Sequence, residues 1–139
     1  MSYLHLNVSD VMSRDLVTAE DSERLSQADA DMRLADIRHL PVVDNEGELC
    51  GILSDRDVYK ALANNSRGSV LVSDVMTRDL LTLREDQPIH AATELMLYHK
   101  IGAAPILDSE DKLVGIVTET DVLRIAHGML GGATGLNRA

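Results

Sequence analysis

The pattern of hydrophobic and polar positions predicts one series of secondary-structure elements, and this series occurs twice along the chain. In each half, a short apolar stretch precedes a helix whose apolar residues recur at spacings of three and four. An apolar stretch, a polar turn and a second apolar stretch then predict a hairpin, which a further helix follows. Each half is predicted as β-α-β-β-α, which indicates an α/β (α+β) fold of two similar units.

The predicted elements of the first half are a strand over residues 16–18, a helix opening at Asp21 and Ser22, a hairpin with strands 39–44 and 49–53, and a helix near Ser54. In the second half the same elements are predicted at residues 80–82, from Asp86 and Pro88, at 104–107 and 113–117, and near Thr118.

The two halves are copies of one sequence. A shift of 64 residues aligns residues 8–58 with the second half without a gap and gives 20 identities in 51 positions. We place the first repeat at residues 8–64, the second at 70–127, and a flexible tail at 128–139. Two halves of this size are marginal as separate cores, so we expect them to pack together as a pseudo-twofold pair.

The composition of the chain argues against several classes of function. The formal net charge is −10 at pH 7, and Trp and Phe are absent. Nucleic-acid binding is therefore not expected, since it needs a basic surface and often stacking aromatics. A single cysteine, Cys50, and the absence of a signal peptide indicate a reducing, cytoplasmic setting. No apolar stretch approaches the about 20 residues needed to span a bilayer, so no membrane partner is expected.

A repeated pattern follows each predicted hairpin: Gly, two apolar residues, Ser or Thr, two variable residues and Asp, over 51–57 and again over 115–121. One interpretation is a helix cap, in which Ser54 or Thr118 is the N-cap and Asp57 or Asp121 is the acid of the first turn. The other is a ligand site, because a carboxylate accepts hydrogen bonds from a ribose diol and helix N–H groups suit phosphate.

The double β-α-β-β-α repeat, the two Asp-Val-Met segments, the Arg-His-Leu-Pro-Val-Val-Asp stretch over 38–44 and the two Gly-x-x-Ser/Thr-x-x-Asp segments resemble a tandem pair of cystathionine β-synthase (CBS) domains. The resemblance covers about residues 8–127. It implies a regulatory module that binds AMP, ADP, ATP or S-adenosylmethionine in clefts between the repeats, and that signals to a protein partner by a conformational change.

The resemblance also implies roles for particular residues. Asp57 and Asp121 would hold ribose hydroxyls, and Ser54 and Thr118 would lie at the ribose–phosphate side. The adenine would be framed by Thr18 and Thr82 and by the backbone and apolar side chains of Leu40, Pro41, Ala104 and Pro105.

The residues themselves predict that the two sites differ. A hairpin centred between Glu46 and Gly47 places His39 opposite Ser54, and Arg38 and Arg56 then add positive charge near the same ligand. Their counterparts in the second copy are the neutral Gly102, Ala103 and Thr120. We therefore expect the Asp57 site to prefer charged nucleotides and the Asp121 site, which includes Thr120, to accept adenosine or a less phosphorylated ligand. The alternative is that Arg38 and Arg56 face solvent and add no charge to the first site.

Other chemistry is weakly supported. We identify no catalytic residues, because no Ser-His-Asp or Cys-His arrangement is evident, and the five His residues lack the spacing of a zinc site. Cys50 aligns with Val114 and is interpreted as a small core residue. We expect a non-enzyme that requires no cofactor. The alternative is a purely structural oligomerisation module, in which both Ser/Thr-x-x-Asp segments serve only as helix caps.

The helices of the second repeat predict a partner surface. Gln27 and Asp31 of the first copy become Ala91 and Leu95 in the second, and Tyr98 continues the same helical face. A surface helix needs only one apolar stripe, and Ile89, Ala92 and Met96 already provide it. We expect a homodimer, or docking of an unknown protein target, through the face formed by Ala91, Leu95 and Tyr98.

Overall fold

The computed structural model describes residues 5–64 and 69–132. The chain forms two compact units. One is uninterrupted in sequence, from Leu16 to Leu80, and we call it the continuous unit. The other combines the segment up to Asp15 with the chain from Leu81 onward, and we call it the split unit. These units divide the chain differently from the repeats predicted over 8–64 and 70–127, because the segment that opens each repeat belongs to the unit built mainly from the other repeat.

The continuous unit is built on a three-stranded sheet in the order β1 (Ala19–Glu20), β2 (His39–Val43) and β3 (Leu49–Ser54). β1 is parallel to β2, and β2 and β3 form an antiparallel hairpin. The helices are α2 (Leu25–Ala35), α3 (Asp55–Asn64) and the short α4 (Val72–Val75).

The split unit repeats this plan. Its sheet has the order β4 (Leu83–Arg84), β5 (Ala103–Leu107) and β6 (Leu113–Thr118), again parallel and then antiparallel. Its helices are the short α1 (Val8–Val11), α5 (His90–Tyr98) and α6 (Glu119–Met129). The predicted two-repeat α+β fold is confirmed.

Each unit has its own aliphatic core. In the continuous unit the cluster includes Leu25, Leu40, Leu53 and Val58, all 0–1% exposed. In the split unit it includes Val8, Ala104, Ile106 and Val117, all fully buried. Most of the apolar stripe predicted on each first helix faces this core, with Leu25, Ala28 and Met32 in one unit and Ile89, Ala92 and Met96 in the other. Ala35, also predicted for the stripe, is exposed because it lies in the last turn of α2.

The identical Val-Ser-Asp-Val-Met segments form α1 and α4. Each helical turn begins with an acidic cap, in which Asp10 accepts the Asn7 N–H at 2.8 Å and Asp74 accepts the Leu71 N–H at 2.9 Å. A guanidinium closes the turn, since Arg14 donates to the Ser9 carbonyl and Arg78 donates to the Ser73 carbonyl. The repeated polar residues of this motif therefore fix a local turn.

These segments dock on the hairpins. Thr77 pairs with Ile52 through two backbone hydrogen bonds of 2.9 and 3.0 Å, and Ser13 pairs with Ile116 through bonds of 2.9 and 3.1 Å. The segment that opens the second repeat thus completes the sheet unit of the first, and the reverse also holds. The pattern of apolar and polar residues does not predict this role for the two segments.

Several element boundaries differ from the prediction. The first strand of each unit lies at Ala19–Glu20 and Leu83–Arg84, beyond the predicted 16–18 and 80–82, because the parallel ladder forms at those residues. Helix α2 begins at Leu25, after a turn at the predicted Asp21 start, and α5 begins at His90. Helix α6 runs to Met129, into the predicted tail, and residues 133–139 of that tail lie outside the described residues.

Candidate functional site

The first candidate acid lies where β3 passes into α3. The Asp55 N–H donates to the Arg38 carbonyl at 2.9 Å, and the Asp57 N–H donates to Ser54 Oγ at 3.1 Å. Ser54 therefore acts as the helix cap that the sequence predicts. These two bonds fix the start of α3 against the strand that carries His39 and Leu40.

The second candidate acid occupies the same place in the split unit, with different bonds. The Glu119 N–H donates to the Gly102 carbonyl at 3.1 Å. The Asp121 carboxylate Oδ2 accepts the Thr118 N–H at 2.9 Å and lies 3.3 Å from Thr118 Oγ1. The Nη1 atom of Arg124 lies 3.5 Å from the other oxygen, Oδ1. This carboxylate is thus engaged on both oxygens.

The strands bring the remaining candidate residues to these helix starts. His39 pairs with Ser54, which confirms the hairpin register predicted from the sequence, and Ala103 pairs with Thr118 in the other unit. Thr18 and Thr82 directly precede β1 and β4, which run parallel to β2 and β5. Each unit therefore gathers its own set of predicted site residues at one edge of its sheet.

The predicted site residues differ in how far they are buried. The acids, their hydroxyl partners and one histidine are half-buried, and these are His39, Ser54, Asp57, Thr118 and Asp121. The two threonines before the strands, the two arginines and one helix residue are exposed, namely Thr18, Thr82, Arg38, Arg56 and Thr120. The four strand residues predicted around the adenine are buried, namely Leu40, Pro41, Ala104 and Pro105.

Leu40 and Ala104 belong to the cores of their units. Both residues are 0% exposed, and Pro41 and Pro105 are exposed by less than 2%, so these strand residues are covered in backbone as well as side chain. Their contact with the adenine stays a prediction.

An open depression of about 550 Å³ lies beside Asp57 in the continuous unit. It is lined by one face of α3, the residues before α4, and α4 itself: Asp57, Lys60, Ala61, Asn64, Ser69, Val70, Asp74 and Val75. Lys60 was not among the predicted site residues. The repeat could have revealed it, because a cation follows the acid by three residues in both copies, as Lys60 and Arg124.

Cys50 is half-buried and packs against the core of the continuous unit. Burial raises the pKa of its thiol, and the carboxylates of Asp21 and Asp44 raise it further. The thiol is therefore held in its unreactive protonated form, as expected of a small core residue. Within residues 5–64 and 69–132, no group of three or more His, Cys, Asp or Glu side chains is placed to hold a metal ion.

The chemistry available at each helix start is hydrogen bonding. A half-buried carboxylate stands beside a hydroxyl at the positive end of a helix dipole, and a vicinal diol next to a phosphate matches that arrangement. Among the described helices, none is both long enough and apolar enough to traverse a bilayer.

Comparison with known proteins identifies relatives of several kinds. The chain is 35% identical over 122 residues to L-aspartate semialdehyde sulfurtransferase of Methanocaldococcus jannaschii, a match that covers 87% of this chain and 23% of the enzyme. The chain thus spans about a quarter of the length of the first curated relatives that it matches.

Solved structures resemble nearly the whole fold. The CBS domain pair of protein MJ0100, in complex with 5′-methylthioadenosine and S-adenosyl-L-methionine, superposes with a TM-score of 0.82 at 33% identity and covers 90% of this chain and 98% of its own. CBSX2 in complex with AMP gives a TM-score of 0.75 at 28% identity, with coverage of 89% and 98%. The family model of the CBS domain matches residues 8–64 and 72–128. On these matches, and on the two-repeat fold described above, the chain belongs to the CBS domain family.

Proposed function

We propose that this chain is a regulatory module that binds an adenosyl ligand of the AMP, ADP or ATP type, with S-adenosylmethionine as a further candidate. The observation that carries the proposal is the repeated helix start, where a half-buried Asp follows a capping Ser or Thr in both units. The adenosyl compounds bound to the MJ0100 domain pair and to CBSX2 support it.

In this proposal Asp57 and Asp121 accept hydrogen bonds from the ribose hydroxyls. Ser54 and Thr118 lie on the phosphate side, at the positive ends of α3 and α6. The adenine contacts Thr18 or Thr82 and the backbone of the proline-containing strands. The chain has no Trp or Phe to stack on the adenine. The base can still be recognised at its edge, by backbone N–H and C=O groups.

The two sites would differ in their preference for phosphate. Arg38 and His39 are joined to the helix start of the continuous unit by backbone bonding and strand pairing, and Arg56 lies in the first turn of α3. Gly102, Ala103 and Thr120 occupy the equivalent positions of the split unit. The pairing of His39 with Ser54 supports a positively charged first site. The Asp57 site would therefore favour charged nucleotides, and the Asp121 site would accept adenosine.

Calorimetric titration of AMP, ADP and ATP tests the ribose assignment. Removal of a buried acceptor should weaken binding roughly 5- to 150-fold in Asp57→Ala or Asp121→Ala. The matched controls are Asp55→Ala and Glu119→Ala, which remove an exposed acid from the same helical turns. Unchanged binding in the folded Asp57→Ala/Asp121→Ala double variant would refute the assignment.

Phosphate preference needs a separate titration. Arg56→Ala should weaken ATP more than adenosine, and the difference should grow at low salt, where screening is least. Equal losses for the two ligands would contradict a positively charged first site.

A regulatory module acts by signalling, and we propose that occupancy changes the conformation that a protein target recognises. The enzyme names of the curated relatives do not assign catalysis to this chain, since the matched stretch is 23% of the sulfurtransferase. We propose that the chain itself is not a catalyst. In the alternative, a structural oligomerisation module, nucleotides would produce no thermal shift, whereas a ligand at about 100 times its Kd adds about 2.7 kcal/mol of stability.

A homodimer through the helices of the second repeat is also proposed. Of the predicted face, Ala91 and Leu95 are half-buried against the core of the split unit, and Tyr98 is 76% exposed. The exposed apolar surface continues at Leu97 and Leu123. More large apolar residues are exposed on α5 and α6, up to Leu130, than on α2 and α3, which supports the second repeat as the contact.

Light scattering at tens of micromolar tests the dimer. Tyr98→Asp should shift the chain toward monomer, because it places a charge on the contact. Leu34→Asp is the matched control, since it makes the same kind of change at the equivalent, 90% exposed position of α2. A monomeric parent protein, or equal dissociation by both variants, would contradict an interface specific to the second repeat.

A further inference from the structure

The two candidate acids are not equally available. Both oxygens of the Asp121 carboxylate are engaged, Oδ2 by Thr118 and Oδ1 by the guanidinium of Arg124. The Asp121 side chain is 14% exposed, whereas that of Arg124 is 76% exposed. An exposed arginine one helical turn away therefore pairs with a largely buried carboxylate.

The acid of the continuous unit is arranged differently. Ser54 Oγ accepts the Asp57 backbone N–H at 3.1 Å, which leaves the carboxylate out of the cap. Within the described part of the chain, the Asp57 carboxylate has no hydrogen-bond or ion-pair partner. Lys60 stands where the other copy has Arg124, and it lines the same depression as Asp57 without an ion pair to any described residue.

The difference has a chemical basis in the side chains. Arginine carries a planar group with five N–H donors that extends across a carboxylate, whereas the lysine ammonium is a compact, strongly hydrated charge on a flexible stem. A residue three positions after the acid lies on the same helical face, so either cation can reach it. Only the arginine copy forms the contact.

We propose that Arg124 is a specificity-determining residue that competes with the ribose diol for Asp121, so that the Asp57 site fills first and residue 124 sets the affinity of the second site. This inference rests on the proposed function, because it requires that Asp121 receives ribose hydroxyls. A diol donates one hydrogen bond to each carboxylate oxygen, and at Oδ1 the second hydroxyl has to share the oxygen with the guanidinium of Arg124, which weakens the bond that it can form.

The competition is modest in size. Exposed ion pairs contribute little, and the arginine end of this pair is open to water. We expect removal of Arg124 to strengthen the binding of a neutral nucleoside at the second site by about two- to fivefold. Adenosine is the appropriate probe, because it carries the ribose diol and no phosphate that Arg124 could attract.

The test isolates the second site in an Asp57→Ala background and measures adenosine by calorimetry, with Arg124→Gln as the variant. Adenosine should bind about two- to fivefold more tightly after the substitution. Before the substitution its affinity should also rise with added salt, because salt screens the competing ion pair and does not act on a neutral ligand. In Asp57→Ala/Arg124→Gln this salt dependence should disappear.

The reciprocal variant uses the first site. Lys60→Arg in an Asp121→Ala background places the competing group beside Asp57 while the formal charge is kept. Adenosine binding should weaken about two- to fivefold and should gain the salt dependence. Far-ultraviolet circular dichroism and thermal melting of every variant show that it is folded.

The outcomes separate the two proposals. Unchanged or weaker adenosine binding after Arg124→Gln, with measurable binding in the Asp57→Ala background, overturns the competition and leaves the proposed function standing. Weaker AMP binding together with unchanged adenosine binding would instead make Arg124 a phosphate contact, which also overturns it. Failure of the parent protein to bind adenosine or any adenine nucleotide overturns both proposals.

Discussion

Gly51 is the position where a single methyl group should be most disruptive. A Cβ atom built on Gly51 would lie 2.5 Å from Met76 Sδ, 2.9 Å from Met76 Cγ and 3.1 Å from the Thr77 carbonyl oxygen. The methionine tip can turn aside, but the Thr77 carbonyl is fixed by its hydrogen bond from the Ile52 N–H. Gly51→Ala therefore forces the docked segment away from β3.

The size of the effect follows from two opposing contributions. Insertion of a methyl group into a packed site costs about 1–3 kcal/mol. Replacement of a strand glycine by alanine returns about 0.5–1 kcal/mol, because the unfolded chain has less entropy to lose. The midpoints of these ranges leave a net loss of about 1 kcal/mol, which for a chain of this length lowers Tm by roughly 3–5 °C.

Urea unfolding measures the loss, and a double-mutant cycle identifies its cause. In a Met76→Ala background the two sulfur-side contacts disappear, so Gly51→Ala should cost at most half as much as in the parent chain. Gly115→Ala provides an internal replicate, because its Cβ would lie 2.5 Å from Met12 Sδ and 3.1 Å from the Ser13 carbonyl oxygen. A loss below about 0.5 kcal/mol, or the same loss in both backgrounds, would refute this reasoning.

Three further outcomes are expected. The backbone N–H groups of Lys112 and Glu110 lower the pKa of Asp108. The ionised carboxylate therefore stabilises the fold at pH values above its ordinary pKa of 3.8, and this contribution is lost as the pH falls through the lower pKa of the folded state. In Asp108→Asn, Tm should fall less steeply below pH 4 than in the parent chain, and parallel curves would contradict the assignment. Because burial raises the pKa of Cys50, iodoacetamide should alkylate the native chain at pH 8 more slowly than the urea-unfolded chain, and equal rates would be inconsistent with a buried thiol. Lys100 has a φ of 55°, in the left-handed region that favours glycine. Lys100→Gly should therefore raise the free energy of unfolding in urea by up to about 1 kcal/mol, while Lys100→Ala should not raise it. Identical results for the two variants would exclude relief of backbone strain.

The repeat made much of the fold predictable. The polar turn at Asn45, Glu46 and Gly47 allowed the first hairpin to be centred and the pairing of His39 with Ser54 to be predicted. The helix caps at Ser54 and Thr118 followed from the same comparison. Strand positions were less certain, because the stretches at 16–18 and 80–82 are apolar enough to be strands, and only pairing with β2 and β5 decides which residues form the ladder.

The exchange of the two short helical segments could not be predicted from the sequence. Residues 8–12 and 72–76 are identical, so each carries the same information about which hairpin it should join. Their destination depends on chain connectivity and tertiary contacts, which periodicity does not report. The hydrogen bonding of each candidate acid could not be predicted from the sequence either. Ser54 and Thr118 are both good caps, and only the structure shows that the Asp121 carboxylate enters the cap and the Asp57 carboxylate does not.

This exchange also has a consequence for the order of folding. Ile52 and Thr77 are about 25 residues apart in the chain, whereas Ser13 and Ile116 are about 100 apart, so closing the second loop costs roughly 1 kcal/mol more in chain entropy. The continuous unit can close as soon as residue 80 has left the ribosome. The segment that carries Val8 and Met12 is made about 100 residues before β6, and its apolar side chains stay exposed until β6 provides the surface that buries them.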